Sequence, residues 1–530
     1  MNYVIKSGKK VNNKINFLLW LLIGILLLPI LFFPVSPDSS IYLDSGRIIA
    51  NGGKLYVDNI DLKQPLIYYV FALVYLLFGY SEITIRLFDY LWQFATIISL
   101  FFLVSKSINK KTAYISAILY ALFYPTLGYS QSAQCETFVA LPLVWMIYFL
   151  TFHRKKNIFI FISGLLIGLI AGLKLTFIVI FFAVIIYIFV DKKDRKSQFL
   201  STSILTFGTI LGFALSIFPL IDSEIYHGYT LVFKYLLYYS STEANLIETL
   251  KLMIKNTGII LGDRYSMLFT VSMLTGIYYF IKITFGKKKK VRRLLNLSLL
   301  LIFFLFLSVV AERKFWDYHY ARMFLPMFIF SAVGLIISYK KTMLFYKKGD
   351  TYLKALIIAI ALCFFILSPA SRWLNSARTA YLYFTNSEKY DALFSEYISG
   401  VYIPLRSQHK LIAEKINGEI KPDDLVIIVS TGSNAINHFL KTENISAFRN
   451  SQFIFNPMKF PEWDYRFSKE IRQADWVVVQ TDDSREQVIG EDISSWDMLK
   501  KDTDNLNFLI RNFFLFDKVG NFLIFKRNFP

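Results

Sequence analysis

The stretch Ile15–Val35, "INFLLWLLIGILLLPILFFPV", decides how the rest of the chain is read. It holds no charge and is long enough to cross a bilayer, since a helix needs about 20 apolar residues to do so. It exceeds a signal-peptide core and lacks a small-residue cleavage site, so it reads as a retained membrane helix. Apolar runs of roughly 15–22 residues recur through the first 370 positions of this 530-residue chain. Of its residues, 55% are hydrophobic, 18% aromatic and only 18% charged. Soluble chains carry about a quarter charged residues.

The net charge of +20 is confined to that apolar part. Residues 1–370 hold 38 Lys and Arg against 17 Asp and Glu, whereas residues 371–530 hold 20 against 21. The basic residues cluster in short connections: Lys6 to Lys14, "SKSINKK", "HRKKN", "DKKDRK", "GKKKKVRR" and "YKKTMLFYKKGDTYLK". Basic short loops mark the cytoplasmic side, so this distribution speaks for membrane topology and against a nucleic-acid partner. Cys135 and Cys363 are the only cysteines, too few for a disulfide framework or a zinc site.

With the N-terminus inside, the first helix (16–34) delivers the connection 35–83 to the outside. "PLIYYVFALVYLLFG", Pro65–Gly79, is short for a span and reads as a surface segment. Thr84–Val104 then descends. Spans follow near 113–128, 137–152, 158–172, 176–190, 198–219, 265–285, 294–311, 324–339 and 355–370. The expectation is an all-α polytopic membrane domain over residues 1–370 with about eleven spans.

Residues 371–530 change character and read as a small extracytoplasmic α/β domain. "HKLIAEKINGEI" has helical spacing, "LVIIVS" and "WVVVQ" read as buried strands, and "FFLFDKVGNFLIF" as a hairpin about Gly520. "TGSNAINHFL" restarts a helix after the first strand. Its Gly432 sits where phosphate loops sit, but one glycine without the full pattern reads first as a turn.

The connection Ser36–Leu66, "SPDSSIYLDSGRIIANGGKLYVDNIDLKQPL", carries Asp38, Asp44, Asp58 and Asp61 among Arg47, Lys54 and Lys63. Asp58 and Asp61 read as solvated loop charges; Asp38, just past the first helix, reads as a site residue. The next outer connection, "GYSQSAQCETF", has one acid, Glu136, which serves either a site or the dipole of the following helix. Lys174 stands between two short helices. "AERKFWDYHYARMFLP" sets Arg313, Lys314, His319, Tyr320 and Arg322 within ten residues, against the positive-inside tendency. Carboxylates beside cations at a membrane face suit transfer of a sugar from a lipid phosphate to an acceptor hydroxyl. A carboxylate takes the acceptor proton, and cations (Lys63, Lys174 and the 313–322 patch) stabilise the leaving phosphate. A single displacement of this kind inverts the anomeric carbon.

The order of these elements resembles the GT-C glycosyltransferases, particularly the dolichyl-phosphate-mannose mannosyltransferase and aminoarabinose transferase group. "DSSIYLDSGRIIANGGKLYVDNIDLKQPLIYY" is similar to that family's acid-to-lysine opening, "QCETF" to its second acidic position, "GLLIGLIAGLKLTF" to its Gly-rich segment and "YHYARMFLP" to its His-Tyr-to-Pro element. The resemblance implies Asp38 as base, Glu136 as second catalytic acid, and Lys63 as the phosphate-contacting lysine, joined by Lys174, Arg313, His319, Tyr320 and Arg322. It implies a polyprenyl-phosphate donor and leaves the acceptor as a lipid, glycan or protein in envelope glycan biosynthesis; the rich Lys, Asn, Ile and Phe usage points to a bacterial chain, placed in the plasma (bacterial inner) membrane. Ser39 stands where the family has a second acid, and Gln64 replaces a proline. The sequence assigns no cofactor, and a divalent metal is left open. The rival reading is a transporter or flippase for a lipid-linked glycan, which carries ionisable groups near the midplane and related halves.

Overall fold

The computed structural model describes residues 13–191, 194–241, 246–263, 266–283, 289–313, 315–366, 369–394, 396–398, 401–403, 406–455, 458, 460–484 and 493–528. Lys6, Lys9, Lys10, Lys192, Lys193, Lys287 and Lys288 of the basic clusters, and Lys314 of the cationic patch, lie outside the described residues.

The chain forms two compact units. The first comprises residues 1–33, 86–217 and 245–380. Its helices include Asn13–Leu27, Glu82–Ser107 (begun in the other unit), Lys110–Phe123, Ala140–Phe152, Asn157–Leu173, Val179–Asp191, Arg195–Ser216, Met267–Ile283, Lys289–Glu312 and Phe324–Lys348. Among the described residues, six segments are long and apolar enough to cross a membrane: Asn13–Phe32, Glu82–Ser107, Cys135–Phe152, Arg195–Ser216, Lys289–Glu312 and Asp317–Lys347. Shorter apolar helices accompany them, so the polytopic all-α reading holds. The interval 220–264, expected to hold no span, contains two helices, Ser223–Ser241 and Leu246–Gly262. Asp222 starts the first by accepting the amides of Glu224 (2.9 Å) and Ile225 (3.2 Å).

Small residues set close helix contacts in this unit. A Cβ on Gly164 would lie 2.2 Å from Leu205 O, on Gly168 2.2 Å from Thr209 O, on Gly208 2.3 Å from Phe161 O and on Gly212 2.2 Å from Leu165 O. Two Gly-x-x-x-Gly faces therefore meet, and backbone contact replaces side-chain interdigitation. The partner numbers rise together, so Asn157–Leu173 and Arg195–Ser216 run parallel. Gly276 and Gly334 bring Met267–Ile283 and Phe324–Lys348 together in the same way.

The second unit gathers residues 34–85, 218–244 and 381–530, so the first long connection and the helix Ser223–Ser241 cluster with the C-terminal domain. Helix Pro37–Ala50 crosses helix Pro65–Phe78 at Gly46, where a Cβ would sit 2.5 Å from the Phe71 carbonyl. A small hairpin pairs β1 (Glu396–Ile398) with β2 (Val401–Ile403). The main sheet comprises β3 (Val426–Val429), β4 (Trp476–Gln480), β5 (Phe513–Val519) and β6 (Phe522–Arg527), in the order β3-β4-β6-β5. β3 and β4 are parallel, and the other pairs antiparallel. Both apolar strands are buried along their length, as their continuous Val/Ile runs require. Ile412 and Ile416 of helix Arg406–Glu419 pack on Val426, Ile428, Trp476, Val478, Phe522 and Ile524. Gly520 turns the hairpin at φ 53°, as expected for a position in the left-handed region.

The segment after β3 forms only a short 3₁₀ turn, Asn434–His438. Ser430 Oγ accepts the amides of Gly432 (3.2 Å) and Ser433 (3.1 Å), and Asp483 accepts that of Thr431. These amides are satisfied internally, so Gly432 belongs to a turn.

Candidate functional site

The second unit holds the first group of candidate residues. Ser36 caps the helix Pro37–Ala50, with Pro37 in its first turn. Asp38 thus projects from a helix N-terminus, where a carboxylate is favoured. Ser39 closes a capping box: its amide donates to Ser36 Oγ (3.2 Å), and its Oγ accepts the Ser36 amide (3.0 Å). The residue in place of a second acid therefore completes the cap. Lys63 Nζ lies 4.0 Å from Asp38 Oδ2, with the side chains 24% and 35% exposed.

Lys63 is fixed through its backbone. Tyr56 OH donates to its carbonyl at 2.7 Å, and its amide donates to Tyr68 OH at 3.1 Å. Tyr68 OH in turn donates to Asp61 Oδ2 at 2.6 Å. Asp61 is buried, contrary to the solvated reading; the apolar helix that follows folds back over it. Burial pushes the Asp61 carboxyl above its ordinary range, against the pull of Lys63 and of the Tyr68 hydroxyl. Asp58 is the better example of a loop charge: half-exposed, it accepts the Lys54 amide at 2.8 Å and faces Arg466. Gln64, in place of a proline, accepts from Tyr229 OH at 2.9 Å and precedes the helix that Pro65 begins. Tyr56 holds φ at 63°, which a non-glycine residue sustains only when its surroundings enforce it. Gly228 supplies the room, since a Cβ there would come within 2.4 Å of Tyr56 O. A groove of about 900 Å³ opens beside Tyr56, lined also by Glu224, His227, Glu462, Trp463 and Arg466.

Asp44 anchors a separate buried network in the same unit. It accepts from Tyr80 OH and from Asn437 Nδ2 (2.8 Å), with Arg47 and Arg449 each 3.8 Å away. His438 stacks on Tyr80 and meets Ser40 Oγ at 3.1 Å. Burial pushes the His438 imidazole down, with the Asp44 and Glu82 carboxylates opposing.

The first unit holds the second group. Glu136 lies in the helical turn Cys135–Phe138, Lys174 between Asn157–Leu173 and a 3₁₀ turn, and His319 and Arg322 in the 3₁₀ helix Asp317–Met323. Glu312, at the end of Lys289–Glu312, completes the cluster. Lys174 Nζ donates to Glu136 Oε1 and Glu312 Oε2, both at 2.7 Å. Arg322 donates to Glu136 Oε1 (2.9 Å), Glu312 Oε1 (2.8 Å) and Ser308 Oγ (2.8 Å), and its guanidinium stacks on Phe177. His319 Nδ1 lies 3.1 Å from Glu312 Oε2. Thr176 also donates to Glu312. Glu136, His319 and Arg322 are buried, and the Glu312 and Lys174 side chains are 8% and 20% exposed.

Four of the expected residues thus meet: Glu136, Lys174, His319 and Arg322. Two do not join them. Tyr320 OH bonds Thr257 Oγ1 (2.8 Å), and Arg313 is exposed with φ at 58°. Sequence reasoning passed over Glu312, although it stands beside the cationic patch, and two basic residues sharing a buried site call for a second counter-charge. Glu136, Glu312 and His319 offer three ligand atoms within 4.8 Å of one another, the grouping a divalent ion would use. The Lys174 ammonium already bridges both carboxylates, and Arg322 balances the remaining charge. The cluster does not fit a resident dication.

Residues 63–221 match the family model described as dolichyl-phosphate-mannose-protein mannosyltransferase. Among solved structures, the chain is similar to ArnT from Cupriavidus metallidurans in the apo state, at 12% identity over 97% of this chain and 96% of that one, with a TM-score of 0.59. It is similar to ArnT bound to undecaprenyl phosphate, at 12% identity over 97% and 98%, TM-score 0.57. The apo oligosaccharyltransferase of Archaeoglobus fulgidus shares 13% identity over 89% of this chain and 70% of that chain, TM-score 0.50. A comparison with curated proteins by sequence gives no match.

Proposed function

We propose that this chain, whose fold is that of the GT-C-type polytopic membrane glycosyltransferases, moves a sugar from a polyprenyl-phosphate donor to an acceptor hydroxyl on the extracytoplasmic face. The observation that carries this reading is the Asp38–Lys63 pair. A carboxylate on a helix N-terminus stands 4.0 Å from an ammonium, both partly exposed, and the lysine backbone is held by two partly buried hydrogen bonds. Asp38 takes the proton of the attacking hydroxyl as its oxygen bonds to the anomeric carbon. The bond from that carbon to the phosphate oxygen breaks as the new one forms, inverting the centre. The oxygen leaves as phosphate, and Lys63 meets the charge that develops on it. The groove beside Tyr56, with its carboxylates and aromatic walls, suits the approach of a hydroxyl-rich acceptor. Glu136 serves as a positioning residue, because its Oε1 is committed to Lys174 and Arg322.

The test is sugar transfer by the purified protein from a panel of undecaprenyl-phosphate sugars. Asp38→Asn is expected to lower kcat by a factor of about 10³, within the range general-base catalysis spans, while retaining donor binding. Turnover at the wild-type rate in that variant removes Asp38 from the mechanism.

A further inference from the structure

A second site lies at the end of the first unit where helices Asn157–Leu173 and Arg195–Ser216 begin. Because the two glycine faces pack these helices in parallel, both N-termini fall at one end. A cavity of about 780 Å³ opens there, and its wall includes Arg154, Lys155, Lys289, Arg292 and Arg293 against only Asp191 and Asp194. The acids are already occupied. Asp194 caps its helix by accepting the Ser197 amide at 2.8 Å. Asp191 holds Arg154 and, at 3.3 Å, Arg293 Nε.

Topology alone accounts for basic residues in short cytoplasmic loops, but it asks only that they be solvated. Here five of them, drawn from two separate stretches of the chain, converge on one cavity, and two are oriented by a shared carboxylate. Arg154 Nε is buried without a hydrogen-bond partner among the described residues. Lys155, Lys289 and Arg292 are exposed, with no ion pair to a carboxylate among the described residues. Two helix N-termini add partial positive charge at the same end.

We infer that this cavity binds a phosphate-bearing anion, the shared chemistry of an anionic phospholipid headgroup and of free phosphate. Basic pockets between membrane helices take such headgroups, and Lys155, Lys289 and Arg292 would contact the phosphate oxygens while Arg154 and Arg293 fix the cavity wall. The site is independent of Asp38, Lys63 and the Glu136 cluster.

The experiment is native mass spectrometry of the full chain in detergent, titrated with phosphatidylglycerol or phosphatidylcholine, with a parallel thermal-shift titration by inorganic phosphate. Expected is retention of phosphatidylglycerol over phosphatidylcholine, lost at least tenfold in Lys155→Ala/Lys289→Ala/Arg292→Ala. The single Arg292→Gln is expected to give a smaller loss of the same sign, and circular dichroism to be unchanged in both. Stabilisation by inorganic phosphate that the triple variant loses, with no phospholipid preference, identifies the free anion as the source. Equal retention of both lipids and an equal phosphate response in wild type and triple variant overturn the site.

Discussion

Glu312 Oε2 accepts the Lys174 ammonium at 2.7 Å, and the same ammonium reaches Glu136 at 2.7 Å. This shared cation ties the end of one long helix to the turn that opens another. Removing one partner of such a buried pair leaves an uncompensated charge and costs about 3–5 kcal/mol. Glu312→Gln is therefore expected to lower the thermal midpoint in detergent by several degrees. Adding Lys174→Met should recover part of the loss, because it removes the cation in excess and leaves Arg322 paired with Glu136. A double variant as unstable as the sum of the singles would show that the two residues do not couple.

Tyr68→Phe probes the support of Lys63. Tyr68 OH bridges the Lys63 amide and the Asp61 carboxylate, so the variant removes one of the two tyrosine hydrogen bonds on the lysine backbone while keeping the ring. If Lys63 meets the donor phosphate, KM for the donor should rise about 5–10-fold, the size of one ordinary lost hydrogen bond, with kcat changing less. The Tyr68 hydroxyl holds the already raised Asp61 carboxyl down. Its loss should move the acid limb of the donor-KM profile to higher pH. An unmoved pH profile with both constants unchanged would separate Tyr68 from donor binding.

What could be read from sequence follows physical lines. Charge-free runs such as Ile15–Val35 reveal membrane helices, because the bilayer leaves no other way to satisfy the backbone. Strands Val426–Val429 and Trp476–Gln480 showed themselves as short runs rich in Val and Ile. Glu136, Lys174, His319 and Arg322 could be singled out because charge at a helix end needs a reason, yet their mutual pairing could not be seen. Glu312 was hidden because a lone acid beside Arg313 reads as local compensation. Helices Ser223–Ser241 and Leu246–Gly262 escaped because their Tyr, Lys and Glu content breaks up the apolar signal. Asp61 read as solvated because one-dimensional spacing does not show that Tyr68, seven residues later, folds back over it.

Gly168 is the tightest test of the glycine contact. Any side chain there would meet Thr209 O at 2.2 Å and the backbone of Phe213 at 2.5 Å, and backbone atoms cannot rotate aside. Gly168→Val is expected to force the two helices apart, with loss of monodisperse protein on size exclusion. Gly258→Ala is the control, since its Cβ would face open space; it should leave yield and midpoint unchanged or slightly raised. A well-behaved Gly168→Val protein would mean that the two helices do not touch at the backbone.

His409 gives the C-terminal sheet a pH dependence of definite sign. It is buried on helix Arg406–Glu419 beside Phe522, and its Nε2 finds no hydrogen-bond partner among the described residues. Burial pushes the imidazole down to about 4, with the Glu82 carboxylate opposing and Arg406 adding to the shift. The unfolded imidazole titrates near 6.5. Between these values the unfolded chain binds the extra proton, so stability rises with pH across that window. The contribution is complete at pH 7 and falls by about 3 kcal/mol by pH 4. Hydrogen exchange of the Val426–Val429 and Trp476–Gln480 amides, compared between wild type and His409→Gln from pH 7 to pH 4, isolates it from other titrating groups. The wild type should lose protection as pH falls through the window, and the variant should lose less. Parallel curves would show that the imidazole is charged, or solvated, in the folded domain.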